Sequence, residues 1–242
     1  MDGEERTYRR WVESDLYPFE VQVGESDLLI SAERPLPQLG ERVLREIRSR
    51  LERYCARDPE LEKALEPREP LRDAPEIIRL MAEAAAICEV GPMAAVAGAV
   101  AEAVGEALLA ETDQVIVENG GDVFLWTTRP RVVAVYAGDS PLTGKIGLRV
   151  GRVEQPLGLC TSSGTVGHSL SFGKADAAIV LAETAAMADA AATALGNRVQ
   201  DAGDIESALS WLQGISRALG GVVVVGNSFG AWGEVEVVRL RT

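Results

Sequence analysis

Three short stretches of the chain hold residue types that chemistry needs. The first is Glu118-Asn119-Gly120-Gly121-Asp122, set between two apolar runs. Asn-Gly and Gly-Gly supply the positive φ angles of a tight hairpin, so a turn accounts for Asn119, Gly120 and Gly121, which are also candidates for contacting a cofactor. It does not account for the carboxylates on either side. Asp122 is a candidate for a second metal ligand or for positioning a substrate hydroxyl. The second stretch runs from Cys160 to Ser169, with Phe172-Gly173-Lys174 beyond it. Five hydroxyls, two glycines and the only histidine, His168, fall within ten residues. The bland reading is a polar surface loop. The functional one is an anion cradle, built from Thr161, Ser162, Ser163, Gly164 and Thr165 with the charge of Lys174. The same stretch offers Cys160 as a nucleophile and His168 as its base, oriented by Asp122 or Glu118.

The third stretch is Ala188-Asp189-Ala190-Ala191-Ala192-Thr193, followed by Asn197. On a helix, Asp189, Thr193 and Asn197 are one turn apart and share a face. An isolated Asp among buried alanines is unfavourable unless it is paired or holds a cation. A carboxylate and a hydroxyl one turn apart suit a hard cation such as Mg²⁺. The bland alternative makes Asp189 a cap and bonds Thr193 back to a carbonyl.

These stretches sit in a charge-poor body. Residues 1–72 carry 13 basic and 17 acidic side chains, whereas residues 73–242 carry only 11 and 20. The net charge is −13, which argues against nucleic-acid and anionic-membrane partners because both need a basic surface. The longest charge-free run at the first Ala-rich segment, Val90 to Ala101, is short of the ~20 residues of a membrane span. The start lacks the apolar core of a signal peptide, so a cytoplasmic location is expected. Three widely spaced cysteines and one histidine fit neither a disulfide framework nor most zinc sites.

The positioning elements follow from periodicity. Phe19–Val23 and Leu28–Ala32 read as a hairpin. Val43, Ile47, Leu51 and Tyr54 mark an amphipathic helix with an arginine-rich, solvated outer face. A Pro-rich loop over 66–75 leads to a helix ending near Cys88, with Pro75 in its first turn and Asp73 as its cap candidate. Beyond Gly91-Pro92, a helix over about 93–110 is nearly all Ala, Val and Gly. Its Ala94, Gly98 and Glu102 share one face, suited to tight helix–sheet packing or to a ligand lying over it. Strands are expected at 115–118, 123–126, 132–137, 146–150, 178–181, 222–225 and 235–240, and helices at about 184–195 and 205–219. The fold class is α+β, with mostly antiparallel sheet packed with helices in two layers. One domain spans 1–242, the charge-rich 1–72 wrapped on the body.

At these motifs the chain resembles a family. Gly91 through Glu102, Glu118 through Asp122, Cys160 through Asp176 and Ala188 through Ala194 resemble an uncharacterised prokaryotic family over nearly the whole length. That family is in turn similar, more distantly, to the ApbE-type FAD:protein FMN transferases. The transferases share a Gly-Gly-Asp turn, matched by Gly120-Gly121-Asp122. Their Thr-Ser-Gly loop is matched by Ser162-Ser163-Gly164, and their Ala-Asp-x-x-x-Thr helix by Ala188-Asp189 and Thr193. The resemblance implies an ApbE/T-fold-like architecture, Mg²⁺ on Asp189 and Thr193, and FAD or FMN as the group bound. It also has departures. A Lys-Gly pair of the transferases stands here as Ala97-Gly98, and the residues after His168 differ. Three functions therefore compete. One is Mg²⁺-assisted binding or transfer of a flavin or other nucleotide phosphate, by a transferase or pyrophosphatase. Another is a non-catalytic binding or assembly protein, compatible with a homo-oligomer. The third is Cys160–His168 covalent catalysis.

Overall fold

The computed structural model describes residues 15–165 and 172–240. His168 lies outside the described residues. Eight strands form one antiparallel sheet in the order β1-β2-β3-β4-β7-β8-β9-β10. These are β1 (Tyr17–Val23), β2 (Ser26–Ala32), β3 (Val115–Asn119), β4 (Asp122–Trp126), β7 (Leu157–Ser162), β8 (Ala177–Ala182), β9 (Ala218–Val225) and β10 (Ser228–Gly233). A second sheet holds β11 (Glu236–Arg239), β6 (Ile146–Val150) and β5 (Arg131–Ala134), in that order. The helices are α1 (Pro37–Arg57), α2 (Pro59–Lys63), α3 (Glu76–Cys88), α4 (Val96–Leu108), α5 (Ala185–Asn197) and α6 (Ile205–Gln213).

The α+β class with antiparallel sheet stands; the layer count does not. There are three layers, because the large sheet is apolar on both faces. One face presents Leu28, Ile30, Val117, Phe124 and Val180 to the helices. The other presents Val123, Leu125, Leu159, Ile179 and Val222 to Val135, Leu148 and Val150 of the small-sheet side. Each strand alternates sides, so both cores are written into one sequence. The charge-rich N-terminal segment joins the first core through Leu44, Ile47, Leu51 and Tyr54. Its outward arginines pair along the helix, Arg45 with Glu41 and Arg48 with Glu52.

Several local expectations are corrected. Helix α3 starts at Glu76 without a side-chain cap, because Asp73 forms a two-pronged bond to Arg57 instead. Cys160, Thr161 and Ser162 belong to central strand β7 rather than to a loop. The last helix ends at Gln213, not near 219. Gly214 and a left-handed Arg217 (φ 69°) turn the chain into β9. Strand β10, SFGAWG, has no apolar alternation to announce it. It forms because a two-residue turn opened by left-handed Gly226 aligns it with β9.

Helices α4 and α5 cross at unusually short range. A Cβ on Gly98 would lie 2.2 Å from the Ala185 carbonyl oxygen and 2.8 Å from the Asp189 Cβ. The small face of α4 thus serves helix–helix contact here, and helix–sheet contact at Gly105, where Phe124 fills the Cβ position. At the crossing each helix caps the other. Asp189 Oδ2 on α5 accepts the Gly98 N–H at 2.9 Å. Glu102 Oε2 on α4 accepts the Ala186 N–H at 3.0 Å. The first N–H groups of any helix lack an internal partner, and here both sets are met by a neighbour. Thr184 completes the start of α5 by accepting Met187 N–H.

Gly98→Ala should lower stability by about 1–3 kcal/mol, the usual penalty of overpacking. Gly151→Ala, with nothing within 4 Å of the added methyl, should leave it unchanged. Chemical denaturation of both variants checks the contrast, and equal stabilities would contradict the close crossing.

Candidate functional site

The β3–β4 hairpin, the end of β7 and helix α5 converge beside this crossing. Gly120 and Gly121 have φ of 69° and 106°, as a two-residue turn requires. The Glu118 Oε1 accepts the Gly121 N–H at 2.8 Å, so one of the two flanking carboxylates closes the turn itself. Asn119 Nδ2 donates to the Ala97 carbonyl at 3.0 Å and tethers the hairpin to the start of α4. These contacts fix where Asp122 stands. Its side chain is buried, 8% exposed, and Oδ1 accepts the Thr161 N–H at 3.3 Å.

Asp122, Cys160 and Asp189 are thereby brought together between the sheet and α5. Burial pushes the Asp122 carboxyl well up, and the charge of Asp189 adds to it. Burial likewise raises Asp189 to about 7, opposed by the Gly98 and Ala97 N–H groups. Two desolvated carboxylates this close disfavour double ionisation. A proton or a cation relieves them.

The exposure of α5 shows how the pair meets solvent. Ten of its 13 residues are buried, and the exceptions are Asp189, Thr193 and Asn197. The helix is walled in on all sides but one, and that side carries its only polar side chains. Asp189 is half-buried and keeps accessible surface. Thr161, Ser162 and Ser163 are half-buried as well. Ser162 reaches the stripe, its Oγ 3.6 Å from the Cβ position of Gly196.

Other expected roles change. The Cys160 thiol is fully buried and donates toward the Ala185 carbonyl at 3.4 Å. Burial pushes its pKa far up, and Asp122 and Asp189 add to the rise. Burial and the two carboxylates hold this thiol in its protonated form, which counts against the covalent reading. The anion cradle is also altered. The Gly164 N–H is committed to the Ala175 carbonyl, and the Thr165 N–H to Ser163 Oγ. Thr165 Oγ1 faces Asp176 at 3.3 Å, a poor neighbour for an anion. Lys174 is exposed, and its backbone N–H is bonded to Val199. The hydroxyls of Thr161 and Ser162 remain as donors, while the N–H groups of Thr161, Gly164 and Thr165 are spent on protein acceptors. Glu102, on the small face of α4 that the sequence offered for packing or for a ligand, serves the packing by capping α5.

Among the described residues no group of three or more His, Cys, Asp or Glu side chains is arranged to hold a metal ion. Two surface concavities, of about 510 and 480 Å³, lie elsewhere, along the arginine face of α1 and around Glu60–Arg68. Both are lined largely by charged side chains. No single helix among the described residues is long and apolar enough to cross a membrane. Helices α3 and α4 taken together would be, but they bend by 105° and both line the core.

Comparison with known proteins defines the class. The fold is that of the ApbE flavin transferases. The apo flavinyl transferase ApbE of Pseudomonas stutzeri superposes with a TM-score of 0.59 at 15% identity, over 90% of this chain and 94% of that one. A single-residue variant of the Vibrio cholerae flavin transferase ApbE gives 0.56 at 12% identity, over 91% and 97%. The family profile described as AbpE bacteria matches residues 9–211, and the chain belongs to that family. Its relatives include a UPF0280 protein of Methanocella arvoryzae, 40% identical over 90% of this chain and 89% of its own length. Another, from Methanocaldococcus jannaschii, is 43% identical over 82% and 83%.

The carboxylate pair makes a pH prediction. A carboxyl whose folded pKa lies above its unfolded value of 3.8 resists ionisation in the fold. Its protonated form stabilises the fold fully below that value, and the contribution drains away as pH rises toward about 7. Without divalent cations, the wild-type melting temperature should fall more between about pH 5 and pH 8 than that of Asp122→Asn. Parallel curves would show that the pair does not titrate in this range.

Proposed function

We propose that this protein binds a nucleotide phosphate, that of a flavin nucleotide in particular, through Mg²⁺ held by Asp189 and Thr193. The observation that carries the reading is the open stripe of α5, Asp189–Thr193–Asn197, set beside a second buried carboxylate. The donor set suits the ion. All of its atoms are hard oxygens, and the paired carboxylates are unfavourable without a counter-charge. The Thr193 hydroxyl makes no hydrogen bond within the described residues. Fewer than three protein carboxylates fits Mg²⁺, which keeps waters and accepts substrate phosphate oxygens. The flavin assignment draws support from the fold shared with the flavin transferases ApbE of Pseudomonas stutzeri and Vibrio cholerae.

In this reading the chain's own groups have distinct tasks. Asp189 and Thr193 hold the ion, and Asp122 completes its surroundings or fixes a substrate hydroxyl. Thr161 and Ser162 donate to phosphate oxygens. The bound ion supplies positive charge to those oxygens, the stabilisation that group transfer from a phosphate needs. Asn119 and Glu118 act only by fixing the hairpin that presents Asp122. A second reading, a binding protein without turnover, is favoured by two features. Ala97-Gly98 brings no side-chain charge to the site, and its Gly98 N–H and Ala97 carbonyl are spent on Asp189 and Asn119.

Calorimetry with inorganic pyrophosphate, FMN and FAD, each with and without Mg²⁺, tests both readings. Binding should require Mg²⁺, vanish in Asp189→Asn and weaken about tenfold in Thr193→Val, as for loss of one good polar contact. Cleavage of FAD at its pyrophosphate under the same conditions separates turnover from binding. Metal-independent binding, or binding unaffected by Asp189→Asn, would refute the Mg²⁺ site.

A further inference from the structure

The open stripe of α5 continues past its last residue onto a separate piece of chain. Asn197 Oδ1 accepts the Phe172 backbone N–H at 2.8 Å. The Phe172 carbonyl accepts Gln200 Nε2 at 3.0 Å. Gly173 then presses onto the end of the helix, where a Cβ would lie 1.8 Å from the Gly196 carbonyl oxygen. The Lys174 N–H closes on the Val199 carbonyl at 2.7 Å. Three successive residues are thus fastened to the terminus of α5 by backbone contacts or close packing. Yet the Phe172 side chain is 59% exposed. The fixed backbone thus presents an aromatic ring to solvent at the end of the polar stripe.

We infer that Phe172 is the stacking platform for the planar ring of the bound nucleotide, an assignment that rests on the Mg²⁺–phosphate reading of Asp189 and Thr193. The spacing supports it. Asp189 and Asn197 are eight residues apart on one helix face, or about 12 Å at 1.5 Å per residue. A phosphate at one end and a heterocycle at the other are joined in a nucleotide by a sugar or ribityl chain of comparable reach. The stripe between them is polar and narrow, Thr193 with Ser162 alongside, and suits such a linker. Neither inorganic phosphate nor pyrophosphate would reach Phe172. The ring of a flavin or of adenine would, and stacking on an aromatic side chain tolerates either.

The test uses the intact protein with Mg²⁺ and three probes: inorganic pyrophosphate, FMN and ADP. Phe172→Ala should bind pyrophosphate like the wild type. It should bind the preferred ring-bearing nucleotide about tenfold more weakly or worse, the size expected for a lost stacking contact. Phe172→Trp should restore that affinity. Where FMN is the ligand, its fluorescence should be quenched by the wild type and by Phe172→Trp, and less so by Phe172→Ala. Unchanged nucleotide affinity in Phe172→Ala would overturn the platform while leaving the metal site intact. Equal losses for pyrophosphate and nucleotide would show that Phe172 is structural, and would overturn it too. Failure of the wild type to bind pyrophosphate with Mg²⁺ would instead remove the reading beneath it.

Discussion

The crossing of α4 and α5 at Gly98 is the contact on which the remainder depends. Two helices approach until one backbone occupies the space a side chain would take. At that range each can lend a carboxylate to the other's unpaired N–H groups. Glu102 and Asp189 do this reciprocally. The exchange answers a difficulty that any buried helix start faces, since its N–H groups cannot turn to water. It also sets the site, because the same Asp189 that caps α4 stands against Asp122 on the sheet. The hairpin carrying Asp122 is tied to α4 in turn, through Asn119 and the Ala97 carbonyl. Helix, helix and hairpin therefore form a closed ring of contacts. A shift in any one moves the carboxylate pair.

Charge makes this arrangement consequential. The body has few ionisable groups, and the helix side of the sheet is lined mainly by Ala, Val, Leu and Ile. In such surroundings two carboxylates are not diluted by neighbouring cations, so both are pushed toward the protonated form. The protein's negative charge thus excludes little at this spot. A proton or a cation would relieve the pair, and under the proposed reading a cation would let an acidic protein accept an anionic ligand.

Much of this was legible in the sequence, and the remainder was hidden for identifiable reasons. The stripe Asp189–Thr193–Asn197 was readable because polar residues at helical spacing stand out among alanines. The turn at Asn119–Gly121 was readable from its glycines, and Asp122 stood out because turn chemistry does not need a carboxylate there. Strand β7 was misread because Thr161-Ser162-Ser163 looks like loop composition. Only its neighbours β4 and β8, far away in sequence, make it a strand. The third layer was hidden because β5, β6 and β11 come from separate segments. The burial of Cys160 also could not be read from one dimension, since it depends on what packs against the strand. Expected donors at Gly164 and Thr165 were spent on local bonds that only three-dimensional proximity reveals.

The alanine content of α5 has a further consequence for how such a protein can diversify. Ten of its 13 positions are enclosed, most of them by side chains already near minimum size. Variation there has almost no direction in which to go, since anything larger collides with sheet or helix. Freedom is confined to the three positions of the open stripe and to the opposing wall. Change at these few positions would leave the surrounding architecture as it is.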